Sequence, residues 1–163
     1  MDFDATFDQC YRPLVRYCQR LTGDADLAED IAQESLVRLF DRGVTGTDAG
    51  IRAWLFKTAT HLVRDGYRVG KNRMRLLDKH PVTPAVPETP ERSVEREEAR
   101  ARTREVLAAL PERDREILLL RYSGFSYKEI AAVIQVAATS VGTLLARAER
   151  RFAEAFTAIG KGV

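Results

Sequence analysis

The sequence predicts an all-α protein of two small helical domains, residues 1–70 and 93–163, joined by a proline-containing linker over 71–92. Three observations carry that prediction. Apolar residues recur at helical spacing on both sides of the linker. Four prolines, at 81, 84, 87 and 90, interrupt the pattern between them. The stretch from Ser126 to Phe152, SYKEIAAVIQVAATSVGTLLARAERRF, reads as two helices joined by a tight turn, the second with a basic, hydroxyl-bearing face.

In chain order, residues 3–21 place Phe3, Phe7, Cys10, Tyr11, Leu14, Cys18 and Leu21 at helical spacing. Pro13 predicts a bend there, since it removes a backbone hydrogen bond. Asp24 and Asp26 favour a new helix start by capping and by charge–dipole attraction, and this second helix is expected to reach about Asp41. Its core stripe is Leu27, Ala28, Ile31, Ala32, Ser35, Leu36 and Leu39. A second stripe, Asp30, Gln33, Glu34 and Val37, falls at i, i+3, i+4 and i+7. It reads either as a docking surface or as a solvated face with one stray valine.

Gly43, Gly46 and Gly50 predict a loop, followed by a third helix over 51–68. Trp54, Leu55, Ala59, Leu62 and Val63 are expected inward, with Arg52, Lys57, Arg64 and Arg68 exposed. A lone tryptophan in a small helical domain usually belongs to the core. Basic residues interleaved with Trp54, Phe56 and Tyr67 are also the types that hold and stack single-stranded nucleic acid. At about 3.3 Å per residue the linker spans roughly 70 Å when extended, about two turns of duplex DNA, long enough for the two domains to occupy separate DNA segments.

From Ser93 a highly charged helix leads to residues 110–125, LPERDREILLLRYSGF, where Pro111 suits a helix start and Gly124 a helix end. The apolar positions of that segment are 117, 118, 120 and 122. Ser126 and Glu129 have capping-box spacing, and Ile130, Ala131, Val133 and Ile134 supply the next stripe. The last helix, from about Thr139, turns Val141, Leu144, Leu145, Ala148 and Phe152 inward. It leaves Thr139, Ser140, Thr143, Arg147, Arg150 and Arg151 outward, groups suited to base edges and phosphates.

Composition bounds the function. With 45% apolar and 31% charged residues over 163 positions, the chain falls among soluble folded proteins. A net charge of only +2 is too small for a protein that grips nucleic acid unaided, so action within a larger assembly is expected. The acidic start of the chain resembles neither a signal nor a transit peptide, and no apolar run approaches the roughly 20 residues that span a bilayer. A cytoplasmic protein without membrane insertion is expected. Cys10 and Cys18, eight residues apart on one helix, are separated by about 12 Å, too far for a disulfide. There is no phosphate-cradling glycine loop, metal-ligand cluster or paired nucleophile and base, so neither catalytic residues, metal nor cofactor is expected.

Three strings, LAEDIAQESLVRLF, IRAWLFKTATHLVRDGYR and LAALPERDREILLLRYSGFSYKEIA, in this order and spacing resemble a bacterial RNA polymerase sigma factor of the extracytoplasmic-function group, sigma-70 family. The likeness covers nearly the whole chain. It implies a region 2-like bundle over 1–70 that docks on the clamp helices of the polymerase β′ subunit and reads and melts the minus-ten promoter element. It implies a region 4-like helix-turn-helix domain over 93–163 that binds the minus-thirty-five duplex and the polymerase β flap. An anti-sigma factor is a further implied partner.

Carried onto this chain, the resemblance puts polymerase contact on Asp30, Gln33, Glu34 and Val37. Minus-ten contact falls on the loop 41–50 and on Trp54, Lys57, His61, Arg64, Asp65 and Arg68. Minus-thirty-five contact falls on Ser126, Lys128, Thr139, Ser140, Thr143, Arg147, Arg150 and Arg151. His61 stands where the family often has asparagine, Gln135 where the turn usually has glycine, and Gly142 and Leu144 where the recognition helix commonly carries Lys and Arg. Two rival readings are a polymerase-binding adaptor or decoy that does not initiate, and a stand-alone helix-turn-helix regulator acting as a dimer.

Overall fold

A computed structural model describes residues 2–66 and 90–161, whose secondary structure is seven α-helices. They are α1 (Phe3–Thr22), α2 (Ala25–Asp41), α3 (Asp48–Arg64), α4 (Pro90–Ala109), α5 (Glu112–Tyr122), α6 (Tyr127–Ile134) and α7 (Ala138–Lys161). Most of the linker therefore lies outside the described residues, and α4 begins three positions before the expected Ser93.

Local chemistry sets the helix ends. Asp2, Asp24 and Thr47 each accept a backbone N–H in the first turn of α1, α2 and α3, satisfying donors that have no partner within the helix. The Thr47 cap starts α3 at Asp48 rather than at Ile51 and draws Gly50 into the first turn. A Cβ at Gly50 would lie 3.1 Å from the capping Oγ1, so a side chain there would crowd the cap. α1 continues through Pro13 and ends at Gly23, whose N–H returns to the Gln19 carbonyl at 2.8 Å. Ser126 and Glu129 form the expected capping box on α6, and Gly124, with φ 94°, turns the chain from α5 into it.

The first three helices bury Leu14, Cys18, Ile31, Leu36, Leu39, Leu55 and Phe56; the last four bury Ile117, Leu120, Phe125, Ile130, Ile134, Val141 and Ala148. These two sets form one continuous core. α3 packs on α6 and α1 on α5, so the two halves meet along a seam, where the sequence had left them at opposite ends of a linker.

Phe56 and Phe125 meet edge to face at 4.8 Å in that seam. Arg52 lies over both rings, at 5.2 Å and 4.3 Å, and donates to the Ser123 carbonyl. Arg115 reaches across to the Leu21 carbonyl at 2.9 Å, and Arg64 grips Glu116 through two hydrogen bonds of 2.9 and 2.7 Å.

The seam overturns the expected solvation of Arg52 and Arg64 and the expected burial of Tyr122. Arg52 and Arg64 are half-buried and engaged instead of solvated, because the second half presents them with a carbonyl, aromatic faces and a carboxylate. Tyr122, expected in the apolar stripe of α5, is 82% exposed and stacks under Arg20 at 5.7 Å, while Leu119 takes a buried place. Trp54 packs against the core as expected, half-buried.

Because Phe56 is fully buried between the halves, Phe56→Ala is expected to cost about 3–5 kcal/mol in equilibrium denaturation. A loss below about 1 kcal/mol would show that the seam is not packed as described.

Candidate polymerase and promoter interfaces

On α2 the candidate docking stripe occupies one side of the helix, but most of it is inside the protein. Asp30, Gln33 and Val37 are 1%, 0% and 7% exposed. The Gln33 amide donates to the Tyr11 hydroxyl at 3.3 Å, which ties the stripe to α1. Glu34 keeps partial access to solvent and accepts from Arg38 at 2.9 Å. The stripe is therefore neither a solvated face nor a fully open docking surface. The sequence reading omitted Phe40, 61% exposed, whose ring meets Phe3 edge to face at 5.4 Å. Its i+3 spacing from Val37 was the available signal.

On α3, Trp54, Lys57, His61 and Arg64 follow one another at spacings of three and four, hence along one face. All four are half-buried. The His61 Nε2 has no hydrogen-bond partner among the described residues, and Asp65 is exposed at the helix end. Arg68 lies outside the described residues. Arg64 is already occupied by Glu116, and the hydrogen bonds from its guanidinium to that carboxylate hold its pKa above the ordinary arginine value. The loop expected over 41–50 is shorter, since α2 ends at Asp41 and α3 starts at Asp48.

The helix-turn-helix is formed by α6 and α7. Val141, Leu145 and Ala148 are buried as expected, with Leu144 and Phe152 half-buried. Thr139, Ser140, Thr143, Arg147 and Arg150 form an exposed row along α7. Arg151, though partly exposed, donates to Asp114 at 2.6 Å and is a structural ion pair across to α5. Lys128 is exposed, whereas the Ser126 hydroxyl is engaged in its cap. Gln135 takes the left-handed conformation, φ 61° and ψ 53°, a strained choice for a residue with a Cβ.

Cys10 and Cys18 are buried free thiols, and burial raises the pKa of both, which disfavours the reactive thiolate. No single helix among the described residues is long and apolar enough to cross a membrane.

Residues 6–73 match the family model for sigma-70 region 2, and residues 100–152 match that for sigma-70 region 4. The chain is 32% identical over 141 residues to the RNA polymerase sigma-H factor of Pseudomonas aeruginosa, covering 78% of this chain and 70% of that one. The chain belongs to the sigma-70 family. The extracytoplasmic-function sigma factor SigE of Mycolicibacterium smegmatis is 32% identical over 164 residues, a match covering 91% of this chain and 62% of SigE. The solved structure of the Bartonella quintana sigma factor RpoE, in complex with the anti-sigma factor NepR, shares the fold at a TM-score of 0.68 and 22% identity, covering 96% and 97% of the two chains.

In sigma terms, the region 2 match runs from Thr6 in α1 through α3, and the region 4 match takes in the second half of α4, α5, α6 and α7 as far as Phe152. The sequence reading also missed Glu116, the seam partner of Arg64. Its place directly before the apolar run 117–120 was the signal the sequence offered, and the structure buries it to 1% exposure.

Two changes in the helix-turn-helix are expected to move stability in opposite directions. Ser126→Ala removes the cap and costs about 1 kcal/mol, whereas Gln135→Gly relieves the left-handed backbone and adds roughly 1 kcal/mol. Hydrogen bonds from the Ser126 backbone and side chain lower the Glu129 pKa. A lowered folded pKa means stability present above the ordinary glutamate value of about 4.3 and lost as pH falls through the lowered value. Thermal denaturation from pH 7 to 3 is expected to show this acid loss in the wild type and to show less of it in S126A.

Proposed function

We propose that this sigma-family chain is a promoter-specific initiation factor that joins core RNA polymerase, directs it to promoters and assists DNA opening. The carrying observation is that both sigma regions occur in one chain, each with an accessible face of the appropriate chemistry. The row Thr139, Ser140, Thr143 and Arg147 is suited to base edges in the major groove of a minus-thirty-five element, with Arg150 on a phosphate. Gly142 and Leu144 leave that row short of cations, so affinity must come largely from the polymerase complex rather than from this domain alone.

The α3 face supplies the chemistry for a minus-ten element. Trp54 and His61 offer planes for stacking against unstacked bases, while Lys57 and a released Arg64 hold phosphates of the separated strand. Glu34, with the neighbouring apolar Phe40, is the accessible part of the polymerase-docking side. Gln33 fixes α2 against α1 through the Tyr11 hydroxyl, and any direct contact from the buried Asp30, Gln33 and Val37 requires α2 to be uncovered. An anti-sigma factor is a proposed regulator, in keeping with the partner of the Bartonella RpoE.

The test is in vitro transcription from fragmented bacterial genomic DNA, with core polymerase in the presence and absence of this chain, sequencing transcript starts. Starts that depend on the chain and share two upstream motifs are expected. Binding to core without new starts would instead favour the adaptor or decoy reading.

Two variants refine the assignment. Arg150→Ala is expected to lower the slope of log affinity against log salt by about one, and Arg151→Ala to change it less, because Asp114 already neutralises that guanidinium. Equal changes would contradict the distinction. Glu34→Ala is expected to weaken core-polymerase binding without loss of helix content; an unchanged affinity would remove Glu34 from the docking surface.

A further inference from the structure

We infer that Tyr127, at the start of the first helix of the helix-turn-helix, is a specificity-determining residue of this chain. Its ring takes the place left empty at Gly142 and selects thymine at one position of the minus-thirty-five element. The inference rests on the sigma reading above and adds to it a residue outside the exposed row of α7.

Gly142 lies three positions after Thr139 and one before Thr143, two members of that row. A glycine inside a helix costs stability relative to alanine. Gly142 is helical and has none of the positive φ that calls for glycine at Gly23 or Gly124. What lies against it is Tyr127. A Cβ built on Gly142 would sit 3.6 Å from the ring carbon Cε2, in ordinary van der Waals contact, so any side chain longer than alanine would start against the ring. The ring also carries the Arg121 guanidinium, 5.1 Å from its centre. Arg121 is itself fixed, since it donates to the Phe125 carbonyl at 3.1 Å. The tyrosine is thus held between α5 and α7 and still 44% exposed. All of these contacts lie within α5, α6, α7 and the turn after α5, so the arrangement does not depend on the region 2 half.

The chemistry of an exposed ring at that place decides what it reads. Thymine is the base that presents a methyl group in the major groove, where an apolar side chain recognises it. A long cation at 142 would instead make two hydrogen bonds to guanine O6 and N7. The phenol hydroxyl is able to reach a phosphate, but a phosphate contact carries no sequence information. Selectivity therefore comes from the ring.

Promoter DNA with a randomised minus-thirty-five element, captured by the full chain in complex with core polymerase and sequenced, tests the inference. Thymine is expected to be enriched at one position by the wild type and by Tyr127→Phe, which keeps the ring. Tyr127→Ala is expected to lose that enrichment, with circular dichroism confirming that Y127A keeps its helices. Replacing the thymine by uracil, which removes only the methyl, is expected to weaken wild-type binding about fourfold, the effect of burying one methyl-sized group, and to leave Y127A unaffected. In the double variant Y127A/G142R, guanine is expected to replace thymine at the same position. An element in which no thymine depends on Tyr127, or a uracil effect of equal size in wild type and Y127A, would overturn the inference. So would a Y127F that behaves like Y127A, which would assign the hydroxyl to a phosphate instead, and so would an unchanged preference in Y127A/G142R. If the wild-type complex enriched no element at all, the sigma reading itself would fall and the inference with it.

Discussion

The fold depends on the packing of Phe56 against Phe125, with Arg52 laid over both rings. Two fully buried aromatic rings from opposite halves remove a large apolar area from water. The arginine covers them while satisfying the Ser123 carbonyl at the end of α5. With those rings in contact, the short region 2 and region 4 bundles share one continuous core, and the fraction of surface buried rises with the size of the folded body. The cross-seam pairs, Arg64 with Glu116 and Arg115 with the Leu21 carbonyl, then fix the angle at which the halves meet.

The same seam explains where sequence reasoning succeeded and where it stopped. Helix starts at Asp24 and Ser126 were legible because a cap acts within three residues of itself. Gln135 stood out in the sequence only as a residue where glycine was usual, and the structure gives it a left-handed backbone. Periodicity separated Val141, Leu145 and Ala148 from the exposed row on α7, since i, i+4 and i+7 fall on one side of any helix. It failed for Arg52, Arg64 and Tyr122, whose surroundings come from residues 50 or more positions away or from the far end of another helix. A local pattern treats every arginine opposite an apolar stripe as solvated. It cannot know that a carboxylate waits across the seam. The α2 stripe failed for a related reason: Asp30 and Gln33 are polar yet buried, and the Gln33 amide N–H donates to the Tyr11 hydroxyl 22 positions earlier.

The candidate site divides by what its cations are already doing. Arg150, Arg147 and Lys128 are exposed with no ion pair among the described contacts, whereas Arg151, Arg64 and Arg52 are held by Asp114, Glu116 and the seam. Electrostatic attraction for DNA is correspondingly modest, in line with a net charge of +2. That balance agrees with the proposed reliance on polymerase for affinity, with side chains of this chain used for selection.

The two sigma regions form one folded body with a shared core. The single tryptophan, Trp54, lies in the region 2 half, whereas far-ultraviolet circular dichroism reports the helices of both halves. Denaturant unfolding of the full chain, followed by both signals in the same samples, is therefore the most direct measurement. Coincident transitions with one midpoint and one slope are the predicted result. Transitions that separate, with the tryptophan signal complete while much of the helical signal persists, would mean two independent domains and contradict the account.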